Sequence, residues 1–73
     1  MKTLYKHNFA PRLIKERKEM KLSQRELATK LGISKSTIAS YEIERTEPDL
    51  ETLGKIATFF CHTVDYFLGL SDE

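Results

Sequence analysis

With 73 residues, this chain is long enough for one small domain and too short for a sizeable catalytic cleft beside its core. Its single cysteine excludes an internal disulfide, no Cys/His cluster indicates a metal, and no long apolar run or leader segment indicates a membrane or exported protein. The net charge of +1 divides into +7 over residues 1–35 and −6 over residues 36–73. We expect a cytoplasmic protein without cofactor, whose first half either faces a polyanion or carries ordinary solvated lysines.

The beginning of the chain predicts a loose tail and then a helix. Residues 1–8 have no clear periodicity and are assigned to the tail. Asn8 can cap the first helix, and Pro11 fits its first turn, where no internal N–H partner is needed. The three- and four-residue spacing of the apolar residues that follow puts Arg17 in or beside their stripe. We expect its guanidinium either to pair with Glu42 or to extend into water.

Residues 23–42 predict two short helices joined by a tight turn. Ser23 and Glu26 have the spacing of a capping box at the start of the first helix. Ser34 can cap the second in the same way. Gly32, between them, can take the positive φ that the turn requires.

The last third of the chain predicts two more helices. Residues 43–47 form a polar connection that ends at a proline. Asp49 then caps a helix with an apolar stripe, in which Gly54 is tolerated if another backbone comes close. Thr63 caps a last short helix that Gly69 ends. Since no strand alternation of any length is present, we predict an all-α fold of five helices with short links.

The outer face of the third predicted helix is the candidate binding surface. If Ile38 and Tyr41 are buried, a rotation of about 100° per residue turns small side chains outward, with Lys35 at their flank. A helix this slim can enter a DNA major groove, where serine hydroxyls meet base edges and a lysine suits guanine or phosphate. The alternative is a plain αα-hairpin whose small residues face solvent. The outward residues are Ser36, Ala39, Ser40 and Ile43.

The segment LSQRELATKLGISKSTIASYE resembles the helix-turn-helix of the lambda-repressor-like (Cro-type, XRE-like) family. The resemblance lies in Gln24, the small Ala28, the turn Gly32 and Ile38. RLIKERKEMKLS is similar to the family's first helix, and EPDLETLGKIATFF and TVDYFLGL are similar to its fourth and fifth. We accordingly predict an N-terminal tail, a compact helix-turn-helix DNA-binding domain and a C-terminal tail, over residues 1–8, 9–70 and 71–73.

The resemblance implies a set of DNA-contacting residues. It places Gln24 at the N-terminus of the second helix, where backbone N–H groups also face phosphate, and the third helix in the major groove. It also implies that Arg17 and Glu42 form a structural brace. The predicted DNA-binding residues are Gln24, Arg25, Ser34, Lys35, Ser36, Thr37, Ala39, Ser40 and Arg45.

One departure from the family lies after the third helix. Where the family often has Asn-Gly, this chain has Ile43 and Glu44, so the loop either takes another conformation or extends the helix. Because Glu44 and Glu47 would repel a phosphate, Arg45 is the one residue of this loop that we predict to contact the DNA backbone.

The resemblance predicts a sequence-specific double-stranded DNA-binding transcription regulator, a repressor that binds a palindromic operator as a homodimer. In the family, dimers bind half-sites roughly 34 Å apart. Seven Phe and Tyr residues are many for so small a core, and core packing explains any one of them. Apolar residues beyond that need suggest a dimer patch at the surface, made of Ile43 and some of Phe59, Tyr66, Phe67 and Leu70. The alternative is a protein-interaction module, such as an antitoxin or antirepressor. A protein antagonist is a further possible partner. An enzyme is not predicted, because His62 and Asp65 stand in no recognisable catalytic arrangement.

Overall fold

The computed structural model describes residues 5–72, and of Lys6 only the backbone. The predicted all-α fold is confirmed, and the described residues contain no strand. α2 and α3 pack on each other, α1 packs against α3 and α5, and α4 contacts α2 and α5. No helix among residues 5–72 is long and apolar enough to cross a membrane. The five helices are α1 Tyr5–Glu19, α2 Gln24–Leu31, α3 Lys35–Glu42, α4 Leu50–Phe59 and α5 Val64–Leu68.

The core forms where the apolar stripes of all five helices meet. Phe9 of α1 ties three helices together, since its ring centroid lies 5.7 Å from that of Tyr41 on α3 and 5.9 Å from that of Phe67 on α5. Such tilted and edge-to-face ring pairs stabilise beyond the area they bury. The largest fully buried side chains are Phe9, Leu13, Leu27, Ile38, Ile56 and Phe67.

Most of the aromatic residues that suggested a dimer patch lie in this core. Tyr66 and Phe67 are buried, so the suggestion that they belong to a surface patch is wrong, whereas Phe59 is half-buried and Ile43 and Leu70 are exposed. In so short a chain, the aromatic rings fill much of the space between the five helices. The large apolar side chains that remain exposed are Tyr5, Met20, Ile43, Leu50 and Leu70.

α1 begins earlier than the sequence predicts. It starts at Tyr5, so Asn8 is not its N-cap and Pro11 lies inside the helix instead of in its first turn. The Asn8 side-chain amide donates instead to the Leu68 carbonyl at 3.2 Å, a contact that holds this turn against the end of α5. Of the predicted tail, residues 1–4 lie outside the described part of the chain.

The four helices after α1 begin directly after their predicted caps. The Ser23 hydroxyl accepts the Glu26 N–H at 3.0 Å while the Glu26 carboxylate accepts the Ser23 N–H at 2.8 Å, which completes the capping box. The predicted caps of the later helices also accept a backbone N–H of the first turn. These caps are Ser34, Asp49 and Thr63.

All five helices end in the same turn. Beyond α3, the Arg45 N–H donates to the Ser40 carbonyl at 2.9 Å and the Glu44 N–H to the Tyr41 carbonyl at 3.1 Å, the pair of bonds that defines a Schellman motif. The same pair closes the other four helices. α3 therefore stops after Glu42, and Glu44 takes the backbone that glycine would have taken. The left-handed residues are Lys21, Gly32, Glu44, Cys61 and Gly69, with φ of 60°, 72°, 64°, 60° and 81°.

Gly54 has a different environment from the one expected. A Cβ built on it would meet nothing within 4 Å, so the expectation that another backbone approaches there is wrong. The position lies beside an open groove between α2 and α4 that Leu31 and Phe59 also line. A larger side chain would fit at this position, so lack of space does not explain the glycine.

Polar contacts fasten the short α5 to α1. The buried Glu16 carboxylate accepts the Tyr66 hydroxyl at 2.8 Å and lies 3.1 Å from His62 Nε2. Burial raises the pKa of Glu16, but the Tyr66 hydrogen bond and the His62 imidazole together outweigh this and leave that pKa lowered. Burial and the bond to Glu16 raise the pKa of Tyr66. Arg12 donates to the carbonyls of Tyr66 and Ser71 at 2.6 and 2.7 Å, so the predicted C-terminal tail begins in contact with α1.

Candidate nucleic-acid interface

α3 presents a slim outer face, as the helical spacing predicts. Ile38 and Tyr41 are buried, whereas Lys35 and Ser36 are exposed. Ala39 and Ser40 are partly exposed, so their short side chains do not hinder a close approach to the helix. A surface of this shape fits the major groove of B-DNA, which is wide enough for one α-helix.

Three hydroxyl groups gather at the N-terminus of α3. The Ser34 hydroxyl accepts the Thr37 N–H at 3.1 Å and lies 2.8 Å from Thr37 Oγ1 and 3.1 Å from Ser36 Oγ. Ser34 and Thr37 therefore hold the start of the helix in addition to any contact they make with DNA. Ser36, which is exposed on the outer face, is the member of the cluster best placed to reach a base edge.

Three of the predicted DNA-contacting residues are cations, on α2, at the start of α3 and in the loop after α3. Arg25, Lys35 and Arg45 are exposed, and none of them forms an ion pair within residues 5–72. Glu44, which we expect to repel a phosphate, precedes Arg45, and its Oε1 lies 2.5 Å from His7 Nδ1. The sequence did not predict this contact, because the two residues come from elements far apart in the chain. The unpaired cations are available for phosphate groups.

The Arg17 guanidinium pairs with Glu42 and does not extend into water. Its Nε and Nη2 donate to the two carboxylate oxygens at 2.7 and 3.0 Å, and its Nη1 donates to the Leu22 carbonyl at 2.8 Å. The Glu42 side chain is 5% exposed. A bidentate pair of this kind fixes both distance and angle, so it braces the end of α3 against α1.

Gln24 joins the same carboxylate. Its side-chain Nε2 donates to Glu42 Oε1 at 2.9 Å, and the side chain is partly buried between α2 and α3. Sequence reasoning placed Gln24 only against DNA and missed this internal partner. A polar residue at the start of one helix and an acid at the end of the next could have been the signal, since crossed helices bring such ends together.

The His, Cys, Asp and Glu residues are the candidate metal ligands of this chain. No group of three His, Cys, Asp or Glu residues among residues 5–72 could hold a metal ion. His62 is occupied by Glu16 and stacks on the Tyr66 ring at a centroid distance of 4.0 Å, which gives it a place in the α1–α5 contact.

A family model and several known proteins match the sequence of this chain. A sequence model of a family described as helix-turn-helix matches residues 13–60. The uncharacterised HTH-type transcriptional regulators YobD and YqaE of Bacillus subtilis are 42% and 41% identical to this chain over 65 and 66 residues, in each case 89% of it. The HTH-type transcriptional regulator ImmR of the same organism is 34% identical over 80% of the chain. The aligned regions make up 58%, 57% and 46% of those three proteins, so the chain spans about half the length of these relatives.

Proposed function

This chain belongs to the helix-turn-helix family, as its resemblance to lambda-repressor-like proteins implied, and from that membership we propose that it is a sequence-specific DNA-binding transcription regulator. Membership also confirms that the chain is not an enzyme. The observation that carries the proposal is the slim outer face of α3 beside three unpaired cations.

In the proposed complex, α3 lies in the major groove and residues 9–70 form the DNA-binding domain. Ser36, Ala39 and Ser40 face base edges, where hydroxyl groups and a methyl group discriminate between base pairs. Ser34 and Thr37 hold the start of α3 close to the DNA, and Gln24 contacts the backbone beside the N-terminus of α2. Arg25, Lys35 and Arg45 neutralise phosphates, although Lys35 is also within reach of guanine acceptors.

We propose that the protein acts as a repressor in the cytoplasm by occupying a palindromic operator as a homodimer. Its relatives are named transcriptional regulators, and the family's docking geometry uses two half-sites roughly 34 Å apart. Release from the operator by a protein antagonist would be compatible with this arrangement, because the DNA-facing surface is also the one that an antagonist would have to cover.

Selection of bound sequences from a random duplex pool tests this proposal. We expect enrichment of an inverted repeat, and affinity for the selected duplex that falls steeply with salt, since several phosphate contacts release counterions. Lys35→Ala should weaken binding, and Ser36→Ala or Ser40→Ala should change base preference by roughly 1 to 3 kcal/mol at one position. Lys55→Ala is the matched control, because Lys55 is an exposed lysine on α4, away from the α3 face.

Two results would contradict the proposal. Equal binding to all duplexes at physiological salt would exclude sequence-specific readout. Loss of affinity in Lys55→Ala as large as that in Lys35→Ala would show that overall charge, and not the α3 face, is responsible. Absence of sequence-specific binding would favour the alternative of a helix-turn-helix protein-interaction module, such as an antitoxin or antirepressor.

A further inference from the structure

Glu42 contacts both Arg17, which braces the helices, and Gln24, which belongs to the proposed DNA-binding surface. Its Oε2 accepts Arg17 Nε at 2.7 Å, while its Oε1 accepts both Arg17 Nη2 at 3.0 Å and Gln24 Nε2 at 2.9 Å. The carboxylate is almost wholly buried, so these three bonds are made away from competing water. One acid on α3 thereby holds a side chain of α1 and a side chain of α2 in fixed positions.

The chemistry of this contact fixes which way the Gln24 amide faces. A primary amide has an NH2 group that donates and an oxygen that accepts, and the two ends are similar in shape. A carboxylate only accepts, so the NH2 end must face Glu42, and a flipped amide would set two acceptors against each other. The second N–H of the amide can then donate to another partner, such as a non-bridging oxygen of a DNA phosphate.

We propose that Glu42 is a positioning residue for DNA binding: it holds the Gln24 amide in the one orientation that leaves an N–H for a backbone phosphate. This inference rests on the proposed function and adds a role to the Arg17–Glu42 pair beyond bracing the helices. A side chain already ordered in the free protein loses less freedom on binding. Gln24 should therefore contribute to affinity only while Glu42 orients it.

A double-mutant cycle on the selected duplex tests the coupling. Gln24→Ala should weaken binding of the wild-type protein roughly three- to tenfold, the range expected for loss of one ordered contact. In a Glu42→Gln background only one acceptor oxygen remains, and the charged Arg17 competes with Gln24 for it, so the same substitution should cost less than about twofold. An equal cost in the two backgrounds would overturn the proposal.

Two matched controls separate positioning from simple bracing. Arg17→Lys removes the bidentate pairing but leaves the Glu42–Gln24 bond, so Gln24→Ala should keep its full effect in that background. Lys35→Ala, on the other face of the site, should keep its effect in the Glu42→Gln background. If the Lys35→Ala effect shrinks as much as that of Gln24→Ala, Glu42 only supports the fold and the proposal is wrong.

The free protein offers a test that does not depend on any variant folding. Gln24 is the only glutamine and Asn8 the only asparagine of the chain, so just two pairs of side-chain amide signals arise in an NMR spectrum. One Gln24 amide proton should exchange with solvent several times more slowly than the other, and comparable exchange of both would overturn the proposal. Failure to select any duplex would overturn the proposed function together with this inference, whereas specific binding with an additive cycle would overturn this inference alone.

Discussion

The turn after α1 allows a stabilising substitution to glycine. Lys21 is exposed and has a φ of 60°, a backbone conformation that costs an L-residue about 1–2 kcal/mol. Glycine removes this strain but gives the unfolded chain more freedom, which takes back about 0.4–1 kcal/mol. We expect Lys21→Gly to raise the free energy of unfolding by about 0.5–1 kcal/mol, which for a domain of this size corresponds to roughly 2–8 °C in Tm.

Thermal and urea unfolding followed by circular dichroism would measure this change, and the matched control is Lys55→Gly. Lys55 is also exposed but lies inside α4, so glycine there should lower the free energy of unfolding by about 1 kcal/mol. The same chemical change should thus have opposite signs at the two sites. If Lys21→Gly destabilises the protein as Lys55→Gly does, the argument from the left-handed turn is refuted.

Three further substitutions test other contacts. Glu42→Ala leaves a buried guanidinium without its carboxylate and should lower the free energy of unfolding by about 3–5 kcal/mol, so an unchanged Tm would exclude the brace. The pKa of Glu16 is lowered on folding from its ordinary 4.5, so its stabilisation is complete above that pH and is lost as the pH falls through the lowered value. Tyr66→Phe removes one cause of that shift and should reduce the loss of Tm between neutral pH and about pH 3, and an undiminished loss would mean that the bond does not govern it. Gly54→Ala should stabilise α4 by about 1 kcal/mol in urea unfolding, unless a neighbour closes the open space beside it.

Features encoded by neighbouring residues could be predicted from the sequence. The capping box joins Ser23 and Glu26, three positions apart, and the turn at Gly32 is marked by the residue that takes a positive φ most easily, so each is visible in a short window. The pairing of Arg17 with Glu42 was also accessible, because a charge inside an apolar stripe requires a partner.

Features that depend on distant residues or on strained backbone could not be predicted. The start of α1 at Tyr5 relies on contacts such as that of Asn8 with Leu68, 60 residues away. Cys61 ends a helix in the left-handed region although no local pattern marks it, because the bonds of the whole turn outweigh the strain of one residue. In the candidate site, the outer face of α3 followed from helical spacing, whereas the bond from Gln24 to Glu42 depended on how α2 crosses α3.

The attachment of α5 has a consequence for the order in which the chain folds. The bond between Glu16 and Tyr66 closes a loop of 50 residues, whereas α2 and α3 are adjacent in sequence and meet across the turn at Gly32. Closing a longer loop loses more chain entropy, and contacts that are distant in sequence slow folding. We therefore expect the α2–α3 pair, for which we propose the DNA contact, to assemble early from local contacts, and the five-residue α5 to complete the core last.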